Sequence, residues 1–101
     1  MRTTSVRKAR PHTPAVAKRF AQNLLRTREA TDVTQEELAF RASLHRTEIG
    51  LLERGGRMPR IDTLAKLAGA LGVEPAALLD GIVWDPGRYS PGGFVGEEGE
   101  E

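Results

Sequence analysis

From Val16 to Leu79 apolar residues recur every three or four positions, and turn and cap residues cut the recurrence into short pieces. That pattern fixes the fold class more tightly than anything else in the chain, because a 3.6-residue period buries one stripe of a helix and suits no strand. Val16, Phe20 and Leu24 stand four apart and Leu25 and Arg28 complete a first helix ending near Ala30, where Thr31-Asp32 breaks it. Thr34-Gln35-Glu36-Glu37 is a capping box, with the Thr34 hydroxyl placed for the third helical N–H and Glu37 able to reach back. A second helix over 35–42 follows, buried through Leu38 and Ala42, and Ser43-Leu44 is its turn. A third starts near His45-Arg46, carries Ile49 and Leu52 inward and stops at Gly55-Gly56. Ile61, Leu64, Leu67, Ala68 and Leu71 predict a fourth over 61–71, ended by Gly72. Glu74-Pro75 opens a fifth that Leu78 and Leu79 bury and Gly81 closes. Five short helices leave no room for a sheet, so the ordered part is all-α.

Outside that stretch the composition changes. Residues 1–14 are rich in Thr, Ser, Arg and Pro without periodicity, and are expected to form a disordered basic arm. Residues 82–101 form a C-terminal extension with an acidic end. Ile82-Val83-Trp84 is β-prone, Asp85-Pro86-Gly87-Arg88 is turn chemistry, and a hairpin, an extended strand or a flexible tail are all compatible with it. The compact domain is therefore expected over 15–81. Charge is sorted in the same way. Residues 1–28 carry eight bases and no acid; 29–81 carry nine acids against six bases; 82–101 carry five acids against Arg88. The net charge of +1 hides this gradient, and phosphate backbones respond to local field.

Several function classes fall away. With no Cys there is no disulfide framework, thiolate zinc site or thiol catalysis. No apolar run approaches the ~20 residues of a membrane helix, and no apolar segment follows the basic N-terminus as in a secretory signal. A cytoplasmic location is expected. There is no nucleophile–His pair, no phosphate loop and no pair of carboxylates in a pocket-forming context, so no enzyme activity is expected. Neither a cofactor nor a metal is expected; His12 and His45 are the only His residues.

Two short helices joined by a tight turn, the second exposing polar residues at its start, make a helix-turn-helix. The run Thr34-Gln35-Glu36-Glu37-Leu38-Ala39, then Leu44-His45-Arg46-Thr47, Ile49-Gly50-Leu51-Leu52-Glu53-Arg54-Gly55, Pro59 and Thr63 to Val73 resembles the Cro/CI (XRE) family over about residues 16–80. The resemblance implies a compact five-helix, lambda-repressor-like domain and a sequence-specific DNA-binding transcriptional regulator, expected to be a repressor. It implies base reading in the major groove by His45, Arg46, Thr47 and Leu51, with Gly50 allowing close approach. Arg46 can donate a bidentate pair to guanine, and the Thr47 methyl can meet thymine; Leu51 can meet a thymine methyl or complete the core beside Leu52. Phosphate contacts are implied for Thr34 and Gln35 at a helix N-terminus and for Arg54, Arg57 and Arg60 along the backbone. The resemblance also implies a structural ion pair between Arg28 and Glu53.

Glu48 is awkward on a DNA-facing helix. Its carboxylate is expected to turn sideways toward Arg41 or Arg46, the other option being cytosine N4. Ser43 and Asp32 stand where the family commonly has Gly, and a left-handed Ser costs on the order of 1 kcal/mol. The cluster Arg2, Arg7, Lys8 and Arg10 suits an arm that wraps the duplex. Family members usually dimerise on palindromic half-sites about 34 Å apart. A homodimer is accordingly expected on a palindromic operator, its surface formed by Leu78, Trp84, Tyr89 and Phe94, which could equally cover the monomer's own core. The alternative is an antitoxin or protein-bridging transcription cofactor of the same fold, binding a protein partner through the C-terminal segment.

Overall fold

A computed structural model describes residues 14–96; the basic arm Arg2, Arg7, Lys8, Arg10 and the acidic end lie outside the described residues. Five helices follow in order: α1 (Pro14–Ala30), α2 (Gln35–Ala42), α3 (Arg46–Glu53), α4 (Ile61–Leu71) and α5 (Pro75–Leu78). A two-stranded antiparallel ribbon of β1 (Trp84–Asp85) and β2 (Gly93–Phe94) comes last, with Trp84 opposite Phe94. The C-terminal segment, compatible with three arrangements on sequence grounds, is a hairpin, closed by the Val95 N–H donating to the Val83 carbonyl at 2.8 Å. The Trp84 and Phe94 rings meet edge to face, 5.1 Å between centroids, the geometry an aromatic quadrupole favours.

The core is the sum of the helical stripes. Phe20 and Leu24 from α1, Leu38, Ala39 and Ala42 from α2, Ile49 and Leu52 from α3, Leu67, Ala68 and Leu71 from α4 and Leu78 from α5 form one buried cluster. α2 packs on both α3 and α4, and α1 packs on α3 and α5, so α3 is held from two sides with one face left over. Both ends of α2 are chemically marked. The Thr34 hydroxyl accepts from the Glu37 N–H at 3.0 Å. The other half of the capping box is not made, because Glu37 turns its carboxylate to Arg41 one turn on, at 2.9 Å. Ser43 closes α2 at φ +56°, and Asp32 precedes it at φ +60°.

α5 corrects two expectations. It stops at Leu78, so Leu79, one helical step round, is 39% exposed instead of buried. Leu78 itself is fully buried in the cluster; it belongs to the core and cannot form a dimer or partner surface. The early stop has a visible cause. Asn23, buried on α1, donates from its Nδ2 to the carbonyls of Leu78 at 3.0 Å and Asp80 at 2.9 Å. It satisfies acceptors that a helix end leaves open and ties α1 to the far end of the domain.

Candidate nucleic-acid interface

α2 and α3 meet across the Ser43-Leu44 turn, where the Leu44 N–H donates back to the Ala39 carbonyl at 2.9 Å. His45 caps α3: its Nδ1 accepts from the Thr47 N–H at 3.2 Å. The cap occupies one ring nitrogen and leaves Nε2 to meet a ligand. Successive residues of a helix are rotated by about 100°, so the burial of Ile49 and Leu52 turns Thr47, Leu51 and Arg54 to the opposite side. Thr47 and Arg54 are exposed and Leu51 is half-buried, its Cδ2 lying close over Gly56. Arg46 and Glu48 flank this face. Arg46 is exposed, its Nε 3.9 Å from Glu36, too loose to hold the side chain back from a better acceptor.

Behind the face sits a cluster that joins three helices. Arg28 of α1 grips Glu53 of α3 in fork-to-fork fashion, through its Nε and through Nη2 to Oε1 at 3.1 Å. Its Nη1 donates to the Val33 carbonyl at 2.8 Å. Gln35, the first residue of α2, donates from Nε2 to the same Glu53 Oε1 at 2.9 Å. Both charges are largely shielded, with 14% of the Arg28 and 5% of the Glu53 side chain exposed. The hydrogen bond to Glu53 holds the Arg28 pKa above its usual range. Gln35 thus spends its side chain on the frame; with the Glu37 N–H taken by the Thr34 hydroxyl, the backbone N–H groups of Gln35 and Glu36 are those placed for an anion.

Two expectations are altered here. Gly50 is buried, and a Cβ added to it would meet Arg54 Nη1 at 3.1 Å. The Arg54 guanidinium roofs over Gly50, so the open approach expected at that glycine is occupied by a cation. Glu48 does turn sideways, but neither toward Arg41 nor Arg46, which face Glu37 and Glu36. It accepts from Arg57 Nη1 at 2.7 Å, reaching back across the α3–α4 loop. Arg60, next along that loop, bonds Asp62 at 3.2 Å and is largely exposed.

Of the remaining residues singled out by sequence, Trp84 and Tyr89 are exposed and Phe94 is half-buried. All three lie in the C-terminal segment that includes the hairpin, not on α3. Two residues escaped sequence reasoning. Asn23 has no sequence signal beyond a polar residue interrupting an apolar stripe. Phe40 lies 85% exposed on the side of α2 away from Leu38 and Ala42, although its type suggests the core.

A capped helix, a left-handed turn and a second helix with an outward polar face, locked by a buried ion pair, define a DNA-binding helix-turn-helix. A helix-turn-helix family model matches residues 24–78, more than half of the chain, and the protein belongs to that family: it is a helix-turn-helix transcriptional regulator. It is 44% identical over 62 residues to the control protein C.BamHI of Bacillus amyloliquefaciens, covering 60% of this chain and 76% of that one. It is 41% identical over 60 residues to the control protein C.SmaI of Serratia marcescens, covering 59% and 71%. Among solved structures, the restriction-modification controller protein C.AhdI from Aeromonas hydrophila superimposes with a TM-score of 0.62 at 41% identity, over 63% of this chain and 97% of that one.

Proposed function

We propose that this regulator controls the genes of a restriction-modification system by binding a palindromic operator as a homodimer, in the cytoplasm, and that it represses. The observation that supports it best is the face of α3 itself. Arg46 and Thr47 stand exposed on its first turn, beside the amide-rich start of α2, in a frame that Glu53 makes rigid. A helix presented in this way can lay its N-terminal side chains on base edges while the start of α2 binds the flanking phosphate. Arg46 would take guanine O6 and N7, Thr47 a thymine methyl or a phosphate, and Leu51 a second thymine methyl. Thr34 and Gln35 would hold one phosphate, Arg54, Arg57 and Arg60 others, and the arm bearing Arg2, Arg7, Lys8 and Arg10 would add salt-dependent affinity. The resemblance to the controller proteins carries the system; the exposed aromatics Trp84 and Tyr89 offer a second copy an anchor.

The test is selection of sites from a random duplex pool at about 150 mM salt, beside an Arg46→Ala/Thr47→Ala variant. A palindromic motif that disappears in the variant is the expected result, and placing it before a reporter gene gives the sign of regulation. Equal enrichment by both proteins would remove the base-reading role from α3.

A further inference from the structure

We infer that Glu48 and Arg57 act as one specificity element, in which Arg57 neutralises and orients the Glu48 carboxylate so that it can accept a hydrogen bond from the exocyclic amino group of cytosine. The inference rests on the reading of α3 as the DNA-reading helix, and adds to it one base position and its chemistry.

Glu48 lies in the first turn of α3, the turn that carries Arg46 and Thr47, and borders the outward face next to Leu51. A bare carboxylate there faces the strongest negative field a protein meets, two strands of phosphates across a groove about 12 Å wide. Two things change that balance. Only a quarter of the Glu48 side chain is exposed, against half of that of Arg57; the carboxylate is the inner partner and the guanidinium the outer. The bond between them, 2.7 Å from Nη1 to Oε1, is in the charge-assisted range.

Arg57 therefore supplies a compensating charge where the carboxylate meets the DNA field. The bond uses Oε1 and leaves the lone pairs of Oε2 to accept. What a carboxylate can accept from in the major groove is an amino group, and the matching base is cytosine through N4. The pairing is not forced by proximity in sequence: the partners stand nine positions apart, on either side of the end of α3. The other acids near the turn take different cations, Glu37 with Arg41 at 2.9 Å and Glu36 near Arg46 at 3.9 Å. Arg57 cannot be a simple phosphate clamp while it holds Glu48; its remaining N–H groups can still reach the backbone on the rim of the same groove.

The experiment is site selection with the full chain and three variants, Glu48→Gln, Glu48→Ala and Arg57→Gln, each first shown to melt cooperatively. The wild type should favour cytosine at one position of each half-site by about fivefold or more, a ratio typical of one good base contact. Glu48→Gln should move that preference to adenine, since an amide presents the donor–acceptor pair that adenine N7 and N6 require. Glu48→Ala should leave the position unselective and the rest of the motif intact. Arg57→Gln should flatten the cytosine preference as well as weaken binding, whereas loss of a phosphate contact alone would weaken all sites equally. A motif identical in wild type and Glu48→Gln overturns the inference while the regulator reading stands. No motif in the wild type overturns both. Uniform weakening by Arg57→Gln, with the cytosine preference intact, reduces Arg57 to a phosphate contact and overturns the coupling.

Discussion

Substituting Arg28→Met removes one member of the buried pair while keeping most of the apolar stem. Glu53, with 5% of its side chain exposed, loses its guanidinium and keeps only the amide of Gln35. The Val33 carbonyl loses the Nη1 donor. Stranding a buried charge costs about 3–5 kcal/mol, and an orphaned carbonyl about 1–3 kcal/mol more. The surviving Gln35 bond offsets part of this, so we expect a loss of about 3–5 kcal/mol in all. That is a large part of the ~5–15 kcal/mol holding an ordinary domain together, and it corresponds to a fall in Tm of about 12 °C or more for a domain of this size.

The reading is tested by pairing it with Arg28→Met/Glu53→Leu, which removes the charge that the single change strands. Replacing both members of a buried pair is often neutral or favourable, so the double variant should recover at least half of the loss. Urea melts followed by helical circular dichroism give both values. A single variant within about 1 kcal/mol of wild type would refute the argument. So would a double variant no more stable than the single, since the damage would then lie in packing and not in an uncompensated charge.

Asn23→Ala leaves the Leu78 and Asp80 carbonyls without their donor and should cost about 2–4 kcal/mol; hydrogen exchange should show the loss concentrated in α5 and the start of the hairpin. Ser43→Gly relieves a left-handed serine at φ +56°, a cost of about 1–2 kcal/mol, against about 0.4–1 kcal/mol of extra freedom in the unfolded chain. A net stabilisation of about 0.5–1 kcal/mol should appear in the same urea melts, with no change in the selected DNA motif.

The helices were legible because each carries its own punctuation. α2 and α4 run over the residues that the Thr34 cap, the Ser43 turn, the apolar stripe of Leu64–Leu71 and Gly72 mark out, although Ile61, which the periodicity places on that stripe, is exposed. α5 was overestimated because its end is set by Asn23, 55 residues away from Leu78, and no local pattern contains that. Leu78 reads in the sequence both as a residue that buries α5 and as a candidate surface residue, because a four-residue helix has too few positions to say which side faces in. The Arg28–Glu53 pairing came from the resemblance and not from spacing; what the sequence did not disclose is that Gln35 joins it. Glu48 shows the limit most clearly. Its carboxylate needs a cation, and the sequence offers Arg41 and Arg46 on the neighbouring turns; the course of the α3–α4 loop brings Arg57 to it instead.

The division of α3 between two faces separates what the domain needs from what its ligand needs. Ile49, Leu52 and Glu53 hold the helix in place; Thr47 and Leu51 look outward, with Arg46 and Glu48 at the margins. Substitutions of the exposed Arg46 and Thr47 leave the buried stripe and the Arg28 grip untouched, so each should change stability by no more than the ~0.5 kcal/mol usual for surface positions. A lineage carrying this scaffold can therefore exchange one recognised sequence for another in single steps, without an unstable ancestor in between. A promoter and its regulator can then drift together while the frame stays the same.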